Sequence, residues 1–305
     1  MAEYDVVIVG IGPVGATLAN LLANRGVSVL VLERAAAMYP LPRAVHFDDE
    51  TMRVFQAVGA DIAAQIDAVV HINPGMQFVD KQGAMILDWP RPNVVTPNGW
   101  NASYRFHQPD VEGILADAAQ AEPPPLPKRA PGLVTVTRGA AVVGIEERAG
   151  GADEGGAVVV RHRPWDYSLW AVEEGSAVST VTAKYVVGCD GAGSFVRKSM
   201  AAALGADADA AVLGEACTRD TDNMEDIGWS QRWLVVDAVL KRDMVELGDH
   251  TRQTCNRSRP STYTRQPGEP TASASASGPI IGSRVRWEVA ILPDETNDQI
   301  TDLNW

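Results

Sequence analysis

Residues 4–34 read YDVVIVGIGPVGATLANLLANRGVSVLVLER, and this stretch decides the fold. Tyr4 to Val9 is a short apolar run ending at a glycine, the pattern of a buried parallel strand. A turn follows from Gly10 to Gly15. Val14, Leu18, Leu21 and Leu22 then recur at helical spacing, and Gly26 supplies a stop signal. Val27 to Leu32 reads as a second buried strand, closed by Glu33. The spacing predicts a β-α-β unit with Gly10-x-Gly12-x-x-Gly15 between its first strand and its helix, the context that gives this pattern meaning. Gly10 permits the tight turn, Gly12 lets a diphosphate approach bare backbone, and Gly15 lets helix and strand pack closely. Pro13 and Val14 lie inside the turn and count with it as cofactor-binding positions. The helix start adds N–H groups and a partial positive charge. Glu33 stands where a carboxylate accepts hydrogen bonds from an adenosine ribose and repels a 2′-phosphate. The turn therefore suits FAD or NAD over NADP, without separating the first two.

The 305 residues are 46% hydrophobic and 21% charged, ordinary for a globular chain of one large or two modest domains. A net charge of −13 repels nucleic acid and anionic membrane, so any phosphate has to be held by local geometry. No apolar run approaches the roughly 20 residues of a membrane span. Acids at Glu3 and Asp5 stand where a signal peptide carries Lys or Arg, which points to the cytoplasm. Cys189, Cys217 and Cys255 fit neither a disulfide framework nor paired zinc ligands. The five histidines, His46, His71, His107, His162 and His250, lack ligand spacing, so no metal is expected.

Beyond Glu33, a loop containing Pro40 and Pro42 leads to Asp48-Asp49-Glu50, three acids at a predicted helix start. Met52, Phe55 and Val58 give that helix an apolar face and Gly59 closes it. Val69 to Trp89 reads as β structure, and Pro109 opens another helix. The proline-rich run at 122–127 reads as a stiff connection. Strands at Val134–Thr137, Ala141–Glu146 and Ala157–His162, with a glycine-rich turn at 150–156, predict a β-meander. Val181 to Val187 is a strong strand leading into Gly188-Cys189-Asp190-Gly191. Trp233–Leu240 and Val285–Leu292 read as strands, and the TASASASG stretch at 271–278 as low-complexity sequence without packed structure. A proline-arginine loop and a meander, where further β-α units would continue, disfavour an NAD-binding dehydrogenase domain.

These segments carry a resemblance. Residues 4–34, Pro42 to Glu50 (PRAVHFDDE), Phe106-His107-Gln108-Pro109, Val187 to Arg197 (VGCDGAGSFVR) and, more weakly, Trp233 to Asp237 (WLVVD) occur in this order. The chain resembles the FAD-dependent aromatic hydroxylases of the p-hydroxybenzoate hydroxylase type, especially the 3-(3-hydroxyphenyl)propionate hydroxylase group. The resemblance implies an α/β fold: a glutathione-reductase-like Rossmann FAD-binding domain with a β-meander, and an incomplete α+β substrate domain. It assigns 1–68 and 103–204 to the first and 69–102 and 205–305 to the second. It implies that Gly10, Gly12, Gly15 and Glu33 bind the ADP half of FAD. Arg34 and Arg43 match basic positions near the adenosine and pyrophosphate, and Gln108 a glutamine beside the flavin. Asp190 and Gly191 match a DG motif near the pyrophosphate and the route of NAD(P)H, completed by Ser194 and Arg197. Free N–H donors are expected at the Ser194 helix start.

The chemistry implied is hydroxylation of a phenolic or aromatic acid with NAD(P)H and O₂, through a flavin C4a-hydroperoxide. No catalytic side chain is assigned, and His46 suits a structural hydrogen bond equally well. Gly193 departs from the Arg or Asn usual in the DG motif. The family's Gly-Asp-Ala-Ala-His motif is not found before Trp305, and Gly248-Asp249-His250 lacks its context. Residues 165–180 and 268–283 also depart from the pattern and read as inserted sequence. Two other readings stay open: a catalytically incompetent fragment of such an enzyme, or another flavin oxidoreductase of the same fold.

Overall fold

The structure, a computed structural model, describes residues 3–121, 132–148, 157–166, 168, 171–173, 175–204, 230–240, 250–256, 259–267 and 281–301. The proline-rich connection, the turn at 150–156, the 271–278 stretch, Cys217 and the Gly248-Asp249 pair lie outside them. The chain begins β1 (Tyr4–Val9), α1 (Pro13–Ala23), β2 (Val29–Glu33), β3 (His46–Asp48), α2 (Asp49–Val58) and α3 (Ala60–Val69). Next come β4 (His71–Ile72), β5 (Gly75–Val79), β6 (Met85–Pro90), β7 (Ser103–Arg105) and α4 (Gln108–Gln120). Then follow β8 (Val134–Arg138), β9 (Ala140–Glu147), β10 (Val158–Asp166), β11 (Ala171–Val172), β12 (Ser179–Gly188) and α5 (Phe195–Leu204). The last are β13 (Trp233–Val239), β14 (Thr251–Thr254), β15 (Ser261–Pro267), β16 (Ile281–Ala290) and α6 (Asn297–Thr301).

By its internal contacts the chain divides into two units, Met1–Pro40 with Glu112–Ile227, and Leu41–Val111 with Gly228–Trp305. Contacts thus group 41–68 and 103–111 with the second unit, whereas the sequence reading placed them with the first.

In the first unit one sheet runs β11-β10-β12-β1-β2-β8, with β9 paired on β10. β12, β1, β2 and β8 are parallel, and β9 and β12 flank β10 antiparallel. Val7, Val9, Leu30, Leu32, Val160, Val181 and Val196 form its core. Apolar runs without alternation suit strands buried on both faces, and β-branched valines pack well on a pleated surface. Two expectations need correction. β8 does not join a meander with β9 and β10; it extends the parallel sheet beside β2, and Gly139, at φ +69, is the single residue between it and β9, which keeps the direction of β8. Nor does α1 bury Val14, which is 69% exposed. Its buried residues are Gly15, Ala16, Ala19, Asn20 and Ala23, because a helix lying close on a sheet leaves room for small side chains only.

In the second unit a six-stranded sheet runs β13-β16-β15-β14-β5-β6, beside a three-stranded sheet β3-β7-β4. Asp48 caps α2, its carboxylate accepting the Thr51 N–H at 2.9 Å. Gly59 ends α2 as expected, but a second helix, α3, starts at once and buries Ile62, Ala63 and Ile66. Phe47 gathers Phe55, Tyr104 and Phe106 around it, with ring centroids 5.1–5.6 Å apart. Strands β14 and β15 were not anticipated. Among the described residues no helix is long and apolar enough to cross a membrane, and no group of three or more His, Cys, Asp or Glu is placed to hold a metal.

Candidate functional site

The glycine turn sits where β1, β2 and β12 end together. The Gly10 N–H donates to Leu32 O, and the Cys189 N–H to Val9 O, both at 2.8 Å. Gly10 has φ +96, and a Cβ there would stand 2.5 Å from the Cys189 carbonyl oxygen. A Cβ on Gly15 would stand 2.0 Å from Gly10 O, so these two glycines are demanded by the turn itself. Gly12 is different. A Cβ on Gly12 would meet nothing within 4 Å, so glycine there leaves bare backbone facing open space. No side chain caps α1, and Pro13 at its first position has no N–H. The donors left at the helix start are the amides of Val14 and Gly15. An open backbone beside an uncapped, dipole-positive helix end fits a diphosphate.

Glu33, half-buried at the end of β2, is held against this turn. Its Oε2 accepts the Ile11 N–H at 3.0 Å and its Oε1 the Ala35 N–H at 2.7 Å. Each oxygen keeps capacity for another hydrogen bond, as a ribose diol requires. Arg34 lies with its guanidinium carbon 5.4 Å from the centroid of the Trp165 ring.

Asp190 and Gly191 follow β12 at the same end of the sheet. Gly191 takes φ +80, and the Ser194 N–H donates to Gly191 O at 3.1 Å, forming a tight turn. The Asp190 carboxylate accepts the Ser194 hydroxyl at 2.6 Å and the N–H groups of Phe195 and Val196 at 2.6 and 3.3 Å. Ser194 Oγ accepts the Arg197 N–H at 3.0 Å. The expectation of free donors at this helix start is therefore corrected: Asp190 and Ser194 take them as caps. Cys189 has its thiol pKa pushed up by burial and by the Asp190 charge.

The second unit brings together two other expected positions. Gln108 Oε1 accepts the Arg43 N–H at 2.9 Å and the Ala44 N–H at 2.7 Å. The carbonyls of the same loop are gripped by Arg286, which sequence reasoning missed. Its guanidinium donates to Arg43 O at 3.1 Å and to Pro42 O, and its Nε and Nη2 reach the Asp237 carboxylate at 2.9 and 2.8 Å. The Arg286 side chain is 4% exposed, so this pair is desolvated and fully engaged. Asp237 stood in the WLVVD segment; its partner comes from β16, opposite it in register.

Three histidines of this unit have structural surroundings. His46 Nε2 lies 2.7 Å from Ser103 Oγ, and burial, then the Arg91 charge, lowers its pKa. His107 Nδ1 lies 3.1 Å from Asp110, which pairs with Arg284 at 2.6 Å. His71 is held neutral, its pKa lowered from 6.5 to about 4 by burial and then by the charges of Arg105 and Arg265.

Residues 3–226 match the family model of the FAD binding domain. A probable NADH-specific resorcinol 4-hydroxylase of Rhodococcus jostii (strain RHA1) is 34% identical over 84% of this chain and 39% of its own length. A 3-(3-hydroxy-phenyl)propionate/3-hydroxycinnamic acid hydroxylase of Mycobacterium sp. (strain JLS) is 30% identical over 98% of this chain and 41% of its own. The chain thus spans about two fifths of the length of these curated relatives. Among solved structures, p-nitrophenol 4-monooxygenase of Pseudomonas putida DLL-E4 shares the fold at TM-score 0.67 and 17% identity, over 98% of this chain and 60% of that one. Aklavinone-11 hydroxylase, solved with FAD and aklavinone, does so at TM-score 0.60 and 18% identity, over 96% of this chain and 47% of that one.

Proposed function

Since this chain belongs to the FAD-binding domain family, which includes the flavin-dependent aromatic hydroxylases, we propose that it carries the flavin-binding part of a monooxygenase acting on a phenolic or aromatic acid. The observation that carries this reading is the open backbone at Gly12 on an uncapped helix start, with Glu33 tied to the same turn. Bound FAD supplies acceptance of hydride from NAD(P)H and activation of O₂ toward an electron-rich ring.

The residues of the chain then bind and orient. The amides of Val14 and Gly15 hold the pyrophosphate, and Glu33 accepts the ribose hydroxyls. Arg34 belongs to the adenosine end. Asp190 and Gly191 act by fixing the turn that follows β12, since both Asp190 oxygens are hydrogen-bonded to the start of α5. We assign flavin binding to the unit built from Met1–Pro40 and Glu112–Ile227, and substrate binding to the other. Phenol, NAD(P)H and O₂ are the small-molecule partners of this scheme, and the name of the Rhodococcus relative supports trying NADH first.

Two measurements test it. The purified chain, dialysed with FAD, should show flavin absorption bands in proportion to protein. With NADH and hydroxyphenylpropionate-like or resorcinol-like phenols it should consume O₂ and form a further-hydroxylated ring. NADH oxidation that proceeds equally with every phenol, without product, would overturn the hydroxylase reading.

A further inference from the structure

Trp165 stands near the end of β10, at the start of a stretch that departs from the family pattern. A series of hydrogen bonds, the first to the Glu33 carboxylate and the next two between backbone groups, fixes its place relative to the glycine turn. The Ala35 N–H donates to Glu33 Oε1 at 2.7 Å, the Gly139 N–H to Ala35 O at 3.4 Å, and the Trp165 N–H to Gly139 O at 3.0 Å. On its other side Trp165 pairs with Val172 of β11, so the indole rides on backbone held from both edges. That backbone puts the ring 5.4 Å from the Arg34 guanidinium carbon, within cation–π range. Arg34 stands over the ring itself, and the indole nitrogen is buried and has no hydrogen-bond partner.

Arg34 itself is exposed, and an exposed arginine samples many rotamers. An aromatic face removes part of that freedom. We propose that Trp165 is a positioning residue that holds the Arg34 guanidinium at the adenosine end of the nucleotide crevice. A cation kept there offsets, locally, the repulsion between a chain of net charge −13 and an anionic diphosphate. This rests on the cofactor reading above.

The test is a thermodynamic cycle on ADP affinity, measured by calorimetric titration of the full chain. Trp165→Leu should weaken ADP about two- to fivefold, the range of an exposed cation–π contact. Trp165→Phe, which keeps an aromatic face, should change it less. Arg34→Gln should weaken ADP at least as much as Trp165→Leu, and the double variant should bind no worse than Arg34→Gln alone. Should the leucine variant lose its fold, Trp165→Met, which keeps volume without a π face, is read through the same cycle. Losses that multiply in the double variant, or a Trp165 variant without a π face that binds ADP as tightly as wild type, would overturn the inference alone. A wild-type chain that binds neither ADP nor FAD would overturn the cofactor reading, and this inference with it.

Discussion

At Gly15 the turn has no room for a side chain, since any Cβ would fall 2.0 Å from a backbone oxygen that cannot move without unmaking the turn. Gly15→Ala should therefore cost about 3 kcal/mol or more in urea unfolding, at the upper end of overpacking effects, and the protein should lose bound flavin together with stability. His71 offers a test of a different kind. Both ring nitrogens are buried without partners, and its pKa is lowered from 6.5 to about 4, so the folded protein binds this proton less readily than the unfolded chain. The neutral ring's contribution is fully present above pH 6.5 and is lost as pH falls toward about 4, by up to roughly 3 kcal/mol. Urea midpoints across that window should fall less steeply for His71→Phe than for wild type. Equal slopes would mean that His71 protonates as easily in the fold as out of it.

Among the elements, α5 depends most visibly on its cap. Asp190→Ala removes the acceptor of two first-turn amides and one hydroxyl, and should cost about 0.5–2 kcal/mol of stability by thermal unfolding. Serine at 194 still holds the Arg197 amide, so the helix should persist in circular dichroism. The same element shows what was legible in sequence. Gly-Cys-Asp-Gly after a valine-rich strand marked the turn, but whether Asp190 faces a ligand or its own helix depends on a geometry five residues long that no spacing encodes. The first β-α-β unit was readable because strand, glycine turn and acid are local signals. The buried face of α1 was not, because Ala16, Ala19 and Asn20 face inward on account of a close sheet rather than hydrophobicity; Asn20, 1% exposed, is satisfied by Ala16 O and Leu115 O, both at 2.9 Å. β14 escaped notice for a related reason. Its sequence, TRQT, has no apolar alternation, and it becomes a strand by pairing with β15 on one side and, on the other, with β5, far away in the chain. Arg286 likewise looks like a surface arginine until the register of β13 and β16 sets it opposite Asp237.

For the whole molecule, the net charge of −13 means that long-range electrostatics oppose any anionic nucleotide, and binding has to come from amides at short range. Affinity for FAD should accordingly hold steady or rise as salt is raised from about 0.05 to about 0.5 M, because screening weakens the repulsion more than the local contacts. A tenfold fall in a fluorescence titration would point instead to a basic surface as the source of binding. Gly12 separates this local binding from folding, since a methyl group there meets open space within the protein. The decisive measurement is a titration of wild type and Gly12→Ala with FAD, beside their thermal unfolding without it. Unfolding should coincide, while FAD affinity falls by about 1–3 kcal/mol, roughly five- to 150-fold, as the methyl group takes the place of the diphosphate. Equal affinity in the two proteins would contradict a cofactor seated on this turn.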